Sequence, residues 1–254
     1  MNDPPPSILC VDAGNTNVRF GILRGDAVSS LGEIGATSLL ETPSNLADAL
    51  PREAARAAFC SVVPTLDARL EHHLLQLTGS PPFRLTHLSC PALPIRYPAP
   101  AEIGQDRLAN ALAARTYHGA PAIVIDVGTA ATFDLVSAEG GYEGGVILPG
   151  PQALVDCLLN RAALLPRSSL PDEPPEDLVG RTTADAIAIG ASHGFPAMIR
   201  DLLPKVKASL ARIDPAPPKV ILTGGGAFRL RDFPDAEPDP DLTLKGLWLA
   251  ASQS

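Results

Sequence analysis

Residues 8–22 read ILCVDAGNTNVRFGI, and residues 122–136 read AIVIDVGTAATFDLV. In both stretches an apolar strand leads into an aspartate, one small apolar residue and a glycine, and a second apolar strand follows. Asp12 and Gly14 in the first stretch correspond to Asp126 and Gly128 in the second. An internal repeat of this kind indicates two related domains, each beginning with an acidic hairpin.

Strand and helix patterns alternate along the rest of the chain, which is typical of an α/β protein. In the first half the patterns predict strands over 27–35 and 56–63, and helices from about Ser44, over 64–77 and over 104–118, the last ending at Gly119. In the second half they predict three strands within 122–149, a strand over 219–223, and helices over 152–160, 182–203 and 242–252. We therefore predict two domains, residues 1–118 and 119–254.

The composition is that of a globular protein, with 45% apolar and 19% charged residues in a chain of 254. The formal net charge is -8 and there is no basic stripe, so nucleic acid is not expected as a partner. Neither a signal peptide nor a membrane-spanning stretch is visible, and we expect no membrane partner and a cytoplasmic location. Four dispersed cysteines without a CxxC motif favour reduced thiols over a disulfide framework or a zinc site.

The turn of the first hairpin carries the residues that a phosphate-binding loop needs. A glycine lets the backbone approach a phosphate, small polar residues donate hydrogen bonds, and a carboxylate holds a metal ion. The segment Asp12 to Asn17 (DAGNTN) supplies all three, although an ordinary Gly-Asn turn would look similar. The second hairpin, with Asp126, Gly128 and Thr129, makes the phosphate interpretation the stronger one.

A third glycine-rich segment, Thr223 to Ala227 (TGGGA), directly follows the predicted strand over 219–223. The order hairpin, hairpin, glycine loop matches the two phosphate motifs and the adenosine motif of the actin-like ATPases. The P-loop signature GxxxxGK[ST] and the Rossmann GxGxxG are both absent. We therefore predict two ribonuclease H-like domains of the actin-like (ASKHA) superfamily, with a cleft between them that binds ATP.

Over nearly its whole length the chain resembles type III pantothenate kinase. The combination of three motifs carries the resemblance: DAGNTN at 12–17, GQDRLANALAA at 104–114 and IDVGTAATFD at 125–134. Further matching stretches are SVVP at 61–64, Tyr97, GGVILPG at 144–150, RAALLP at 161–166, GRTTADAIAIG at 180–190, LTGGGA at 222–227 and LTLKGL at 242–247. Pro151, where the family often has an aliphatic residue, is one of the few departures.

The resemblance implies an ATP-dependent phosphorylation of the 4′-hydroxyl of pantothenate, the first step toward coenzyme A, by a homodimer that needs magnesium and a monovalent cation, potassium or ammonium. It implies that Asp106 is the general base and that Asp126 binds the monovalent cation, while Asp12 lies near magnesium, directly or through water. The implied ATP contacts are Asp12, Ala13, Gly14, Asn15, Thr16, Asn17, Val18, Arg19, Thr129, Gly224 and Gly225. The implied pantothenate contacts are Tyr97, Gly104, Gln105, Asp106, Arg107 and Thr183.

Other interpretations stay open at this stage. A second actin-like phosphotransferase, such as a sugar kinase, would share the hairpins but not the GQDR stretch, and a non-catalytic regulator could retain the motifs. The segment Gly190 to Gly194 fits the hydrolase motif GxSxG, but a hydrolase needs an acid and then a histidine downstream, and the only histidine after Ser192 is its neighbour His193. The pair His72 and His73 is better explained as a solvated helix face than as a metal site.

Overall fold

Two five-stranded sheets of the same topology carry the fold in this computed structural model, which describes residues 7–41, 49–51, 54–161, 169–234 and 236–253. The strand order is β3-β2-β1-β4-β5 in the first sheet and β8-β7-β6-β9-β10 in the second. The strands are β1 Ile8–Ala13, β2 Asn17–Arg24, β3 Ala27–Gly35, β4 Arg56–Ser61, β5 Phe83–Arg84, β6 Ala122–Val127, β7 Ala130–Ser137, β8 Gly141–Pro149, β9 Lys219–Thr223 and β10 Ala236–Pro238.

Corresponding strands pair in corresponding ways. Strand β1 is antiparallel to β2 and parallel to β4, just as β6 is antiparallel to β7 and parallel to β9. Asp12 lies opposite Cys60 in one sheet, and Asp126 lies opposite Thr223 in the other. The internal repeat read from the sequence is therefore a duplicated sheet, and the prediction of an α/β fold is confirmed.

Six α-helices lie within the described residues: α1 Ala36–Glu41, α2 Pro64–Thr78, α3 Gln105–Ala113, α4 Pro151–Arg161, α5 Thr183–Leu210 and α6 Leu242–Ser252. Alternation along β1 sends Leu9, Val11 and Ala13 into an apolar core that also holds Leu66 and Leu70 of α2. The intervening residues, including Cys10 and Asp12, consequently face the other side of the sheet, where α6 contacts β1, β2 and β4.

The core of the second sheet is formed mainly by α5. Ile123, Ile125 and Val127 of β6 share a buried apolar cluster with Phe195 and Ile199 of this helix. A capping box opens α5, because Thr182 and Asp185 each accept a hydrogen bond from the other's backbone N–H, both at 3.1 Å. Asp126 lies between Ile125 and Val127 on β6, so its side chain points to the opposite face of the sheet.

The helix predicted over 182–203 is longer in the structure, where it runs to Leu210 past Pro204. Its apolar stripe explains the extension, since Leu203, Val206 and Leu210 all remain buried in the core. The segment predicted as a helix over 104–118 is α3 followed by a π-helical turn, Ala114–His118, and it ends at Gly119 with φ 91°. The helix predicted from about Ser44 and most of the stretch at 161–166 lie outside the described residues.

By its internal contacts the chain divides into two compact units. The first comprises residues 1–119, 139–143 and 241–254, and the second comprises residues 120–138 and 144–240. Helix α6, which the predicted division at 118/119 assigns to the second domain, packs against α3 in the first unit. The domain boundary itself stays a prediction. Among the described residues, none of the helices is both long and apolar enough to cross a membrane.

Candidate active site

The first phosphate hairpin turns between β1 and β2. The backbone N–H of Gly14 donates to the carbonyl of Asn17 at 3.0 Å, and a Cβ at position 14 would lie only 3.1 Å from the same oxygen. Asn15, Thr16 and Asn17 are exposed at the turn, whereas Ala13 and Val18 are buried in the core. Ala13 and Val18 can therefore contact a nucleotide only through their main-chain atoms.

A row of polar residues crosses the first sheet at the level of Asp12. The register places Cys60, Asp12, Arg19 and Glu33 side by side on β4, β1, β2 and β3. The Cys60 thiol donates a hydrogen bond to Asp12 Oδ1 at 3.3 Å. The Arg19 guanidinium is held by Asp241 at 3.1 Å and by Glu33 at 3.9 Å. The structure thus explains how Arg19 is fixed, while its contact with ATP stays a prediction.

The segment Gly104 to Arg107 forms the beginning of α3. Gly104 is the N-cap residue, and a Cβ there would lie 2.4 Å from Asp106 Oδ1, so the glycine makes room for the carboxylate. The same Oδ1 accepts a hydrogen bond from the backbone N–H of Arg107 at 2.8 Å. Gln105 accepts one from the backbone N–H of Ser61 at 3.0 Å, which joins the start of α3 to the end of β4.

This junction joins the helix that carries Asp106, the predicted general base, to β4, whose Cys60 pairs with Asp12. Burial raises the pKa of the Cys60 thiol well above its usual range, and the negative charges of Asp12 and Asp106 raise it further. Asp106 is only partly buried, but desolvation by the surrounding protein raises its pKa. The hydrogen bond from the backbone N–H of Arg107 and the positive charge of Arg107 lower the pKa in part. A carboxylate with a raised pKa is a better proton acceptor than an exposed one, as a general base requires.

Two tyrosines complete this part of the first unit. The Arg107 guanidinium lies over the ring of Tyr142, 5.7 Å from its centroid. The Tyr97 ring meets Tyr142 edge to face at 6.2 Å. Tyr97 and Arg107 were predicted from the sequence, but Tyr142 was not. An aromatic residue that follows two glycines, Gly140 and Gly141, in a turn was the signal that could have drawn attention to it.

The second hairpin and the glycine loop meet in the second unit. Gly224 has φ 90°, and a Cβ at this position would lie 2.3 Å from Asp126 Oδ1. The backbone N–H of Gly226 donates to the carbonyl of Val127 at 2.7 Å. The two segments that the sequence predicts to contact phosphate and adenosine therefore pack directly against each other, with the Asp126 carboxylate at their junction.

The turn of this hairpin also contacts Gly150. The backbone N–H of Gly150 donates to the carbonyl of Thr129 at 3.0 Å, and a Cβ on Gly150 would lie 2.1 Å from the carbonyl oxygen of Gly128. Gly225 has open space around its Cα. Thr183, the remaining predicted pantothenate contact, is exposed in the first turn of α5 in the second unit, whereas Tyr97 and Gly104 to Arg107 belong to the first.

Neither of the two sequence motifs set aside above forms a site. Ser192 lies buried within the long helix α5, whereas a hydrolase nucleophile stands exposed on a strand-to-helix turn. The His72 and His73 rings lie on α2 with centroids 5.7 Å apart, nearly perpendicular to each other. Among the described residues there is no group of three or more metal-ligating side chains.

Solved structures define the class of fold. The chain aligns with a protein of the Baf family of transcriptional activators from Campylobacter jejuni at a TM-score of 0.59, with 21% identity and coverage of 96% of this chain and 98% of that one. It also aligns with an inorganic polyphosphate/ATP-glucomannokinase from Arthrobacter at a TM-score of 0.51, with 14% identity and coverage of 98% and 100%. The fold is that of the actin-like ATPases and sugar kinases, as predicted.

Sequence relatives define the family within that class. The family model for type III pantothenate kinase matches residues 8–205. A type III pantothenate kinase of Desulfosudis oleivorans is 34% identical, over 97% of this chain and 99% of its own length. One from Rhodospirillum centenum is 36% identical, over 95% and 97%. The chain belongs to the type III pantothenate kinase family.

Proposed function

We propose that this protein transfers the γ-phosphoryl group of ATP to the 4′-hydroxyl of pantothenate, the first step of coenzyme A synthesis. The observation that carries the proposal is the position of Asp106. Its carboxylate stands at the start of α3 and has a raised pKa. The hydrogen bond between Gln105 and Ser61 joins this helix start to the end of β4, the strand that pairs with β1 at Asp12. Phosphoryl transfer to an alcohol requires a base for the hydroxyl proton and a carboxylate for the metal ion, and in this scheme Asp106 and Asp12 supply them.

The acceptor end of the site uses the first unit. Asp106 takes the proton of the attacking hydroxyl, and the planar fork of Arg107 binds the carboxylate of pantothenate. Tyr97, Gly104 and Gln105 shape this end. Thr183 contributes a further contact to pantothenate, as the resemblance implies, and the enzyme is a homodimer in this proposal.

The proposed ATP contacts are the backbone of residues 12–19 together with Thr129, Gly224 and Gly225. The chain has few cations in these motifs, so bound ions supply positive charge for the transferring phosphoryl group. Asp12 suits magnesium, which typically takes one or two carboxylates plus substrate phosphates. Asp126 suits potassium or ammonium, because its carboxylate and the carbonyl oxygen of Val127 both lie at the glycine loop and hard cations take oxygen ligands.

The test is an assay of purified protein with ATP, magnesium and pantothenate, with and without potassium. We expect potassium-stimulated formation of phosphopantothenate, and a loss on the order of 10²- to 10⁴-fold in Asp106→Asn. Asp201→Asn is the matched control, because Asp201 is exposed on α5 and pairs only with its helical neighbour Lys205 among the ion pairs described. A wild-type protein that binds ATP but leaves pantothenate unchanged would refute the proposal.

Two outcomes would separate this function from its rivals. ATP consumption with a sugar but not with pantothenate would indicate a sugar kinase, and ATP binding without any turnover would favour a regulator. We further propose that the enzyme works in the cytoplasm as a homodimer, which sedimentation of the purified protein would test.

A further inference from the structure

The main chain around Tyr142 is tied to the segment that leads into Tyr97. The backbone N–H of Tyr142 donates to the Pro94 carbonyl at 2.9 Å, and the Tyr142 carbonyl accepts from the N–H of Arg96 at 2.8 Å. These two bonds make an isolated parallel bridge between Ile95 and Tyr142. The position of Tyr97, one residue further on, is therefore set by the strand that carries Tyr142.

Gly141 permits this close approach. Its φ is 70°, a conformation that favours glycine, and a Cβ at this position would lie 2.1 Å from the carbonyl oxygen of Pro94. The bridge is thus a built feature of the chain, since the residue before the tyrosine must lack a side chain for the two segments to meet.

The side chain of Tyr142 joins the same two binding residues. The residue is fully buried, with 0% of its surface exposed. The Arg107 guanidinium lies 5.7 Å from the centroid of this ring, and the centroid of the Tyr97 ring lies 6.2 Å from it in an edge-to-face arrangement. All of these residues belong to the first unit.

A ring is a suitable support for an arginine that must bind a carboxylate. A cation–π contact holds the guanidinium without neutralising its charge, whereas an acidic partner would neutralise that charge. Recognition by two parallel hydrogen bonds is sensitive to the orientation of the guanidinium plane. A ring that holds Arg107 in place therefore preserves the positive charge that an anionic ligand needs.

We propose that Tyr142 is a positioning residue for carboxylate recognition: its ring orients Arg107, its main chain sets Tyr97, and together they select an acceptor alcohol that bears a carboxylate. This inference rests on the proposed pantothenate kinase activity and adds the basis of its acceptor selectivity. Tyr142 touches neither reacting atom in this scheme, so its effect should appear in acceptor binding rather than in the chemical step.

The experiment compares Tyr142→Phe and Tyr142→Leu with two ligands, pantothenate and an N-alkyl pantothenamide that lacks the carboxylate. Tyr142→Phe keeps the ring and should retain acceptor binding. Tyr142→Leu should raise the KM for pantothenate by about 2- to 30-fold, the range that one cation–π contact spans, with little change in kcat or in the KM for ATP. The KM of the amide, or its inhibition constant if it is not phosphorylated, should hardly change.

Tyr117→Leu is the matched control, because Tyr117 is 36% exposed in the π-helical turn outside this cluster. Should Tyr142→Leu fail to fold, phenylalanines of increasing fluorination at position 142 keep the shape of the ring and weaken its negative face. The KM for pantothenate should then rise with each added fluorine. Equal losses for pantothenate and the amide, or no dependence on fluorination, would overturn the proposal. An inactive wild-type enzyme would instead count against the proposed function.

Discussion

Replacing Gly246 with alanine should separate α6 from α3 and thereby displace α3, the helix that carries Asp106. Gly246 lies where the two helices cross, and a Cβ there would sit 1.9 Å from the carbonyl oxygen of Ala109, 2.5 Å from its carbonyl carbon and 2.9 Å from its Cα. These are main-chain atoms of a helix, which cannot swing aside as a flexible side chain can. To restore ordinary contact at 3.4 Å, the helices must move apart by about 1.5 Å.

The magnitude follows from two opposing effects. Alanine in place of glycine inside a helix gains up to about 1 kcal/mol of helix propensity. Overpacking of a close contact costs about 1–3 kcal/mol, and sometimes more. Because the main chain blocks the added methyl group, we expect the cost to dominate, with a net loss of about 1–2 kcal/mol in the free energy of unfolding.

Gly190→Ala on α5 provides the matched control, since it is the same substitution in an exposed helical position where a Cβ meets nothing within 4 Å. It should stabilise by up to about 1 kcal/mol. Urea denaturation of both variants gives the free energies, and kinase assays should show a fall of about 10- to 100-fold in kcat/KM for Gly246→Ala alone, because Asp106 and Arg107 ride on the displaced helix. Equal stability and equal activity of the two variants would refute the reasoning.

Three further predictions concern the carboxylates and the helix contact. Folding raises the pKa of Asp106, so the folded state binds the proton of this carboxyl group more tightly than the unfolded state does. The stability that this protonation contributes is present below the unfolded pKa and is lost as pH rises through the folded pKa. Asp106→Asn should therefore gain stability relative to wild type as pH rises through that window, seen by thermal melts at several pH values, while kcat/KM of the wild type falls on the acid side as Asp106 is protonated. Gly224→Ala should abolish most activity and potassium stimulation by pushing against Asp126, whereas Gly79→Ala, with φ 71° but open space, should cost only about 1–2 kcal/mol of stability and leave kcat unchanged; the opposite ranking in the assay would contradict the packing argument. Thr243→Val removes the O–H that donates to the buried Asn110 side chain at 2.8 Å and should cost about 1–3 kcal/mol in urea denaturation, with Thr243→Ser losing less.

The parts of the fold that were predictable from the sequence are those with local signals. The repeated hairpins could be predicted because alternating apolar residues and a DxG turn lie within fifteen consecutive positions. The glycine loop could be predicted because it directly follows its strand. Most strand and helix bounds agree with prediction to within a few residues for the same reason. Helix α5 was predicted to end at 203, but it continues past Pro204 to Leu210 because Leu203, Val206 and Leu210 are buried in the core.

The contacts that shape the site depend on pairings between distant segments. Cys60 meets Asp12 only because β4 pairs with β1 in one particular register, and a shift by one residue would turn the thiol to the other face. The bridge between Ile95 and Tyr142 joins segments more than forty residues apart, and Gly224 lies against Asp126 although nearly a hundred residues separate them. A single sequence carries no periodic signal for such pairings, so the residues that support the site emerged only from the structure.

The distribution of buried and exposed thiols allows local unfolding of the first unit to be measured by chemical labelling. Cys10, Cys60 and Cys90 are buried in the first unit, and burial raises their thiol pKa, that of Cys90 to about 11, while Cys157 is exposed on α4 in the second unit. An alkylating reagent should therefore mark Cys157 at once and reach the other three only when the first unit opens. Their labelling rates would measure the opening of the unit that carries Asp12 and Asp106, with the natural cysteines and without any introduced labelling site.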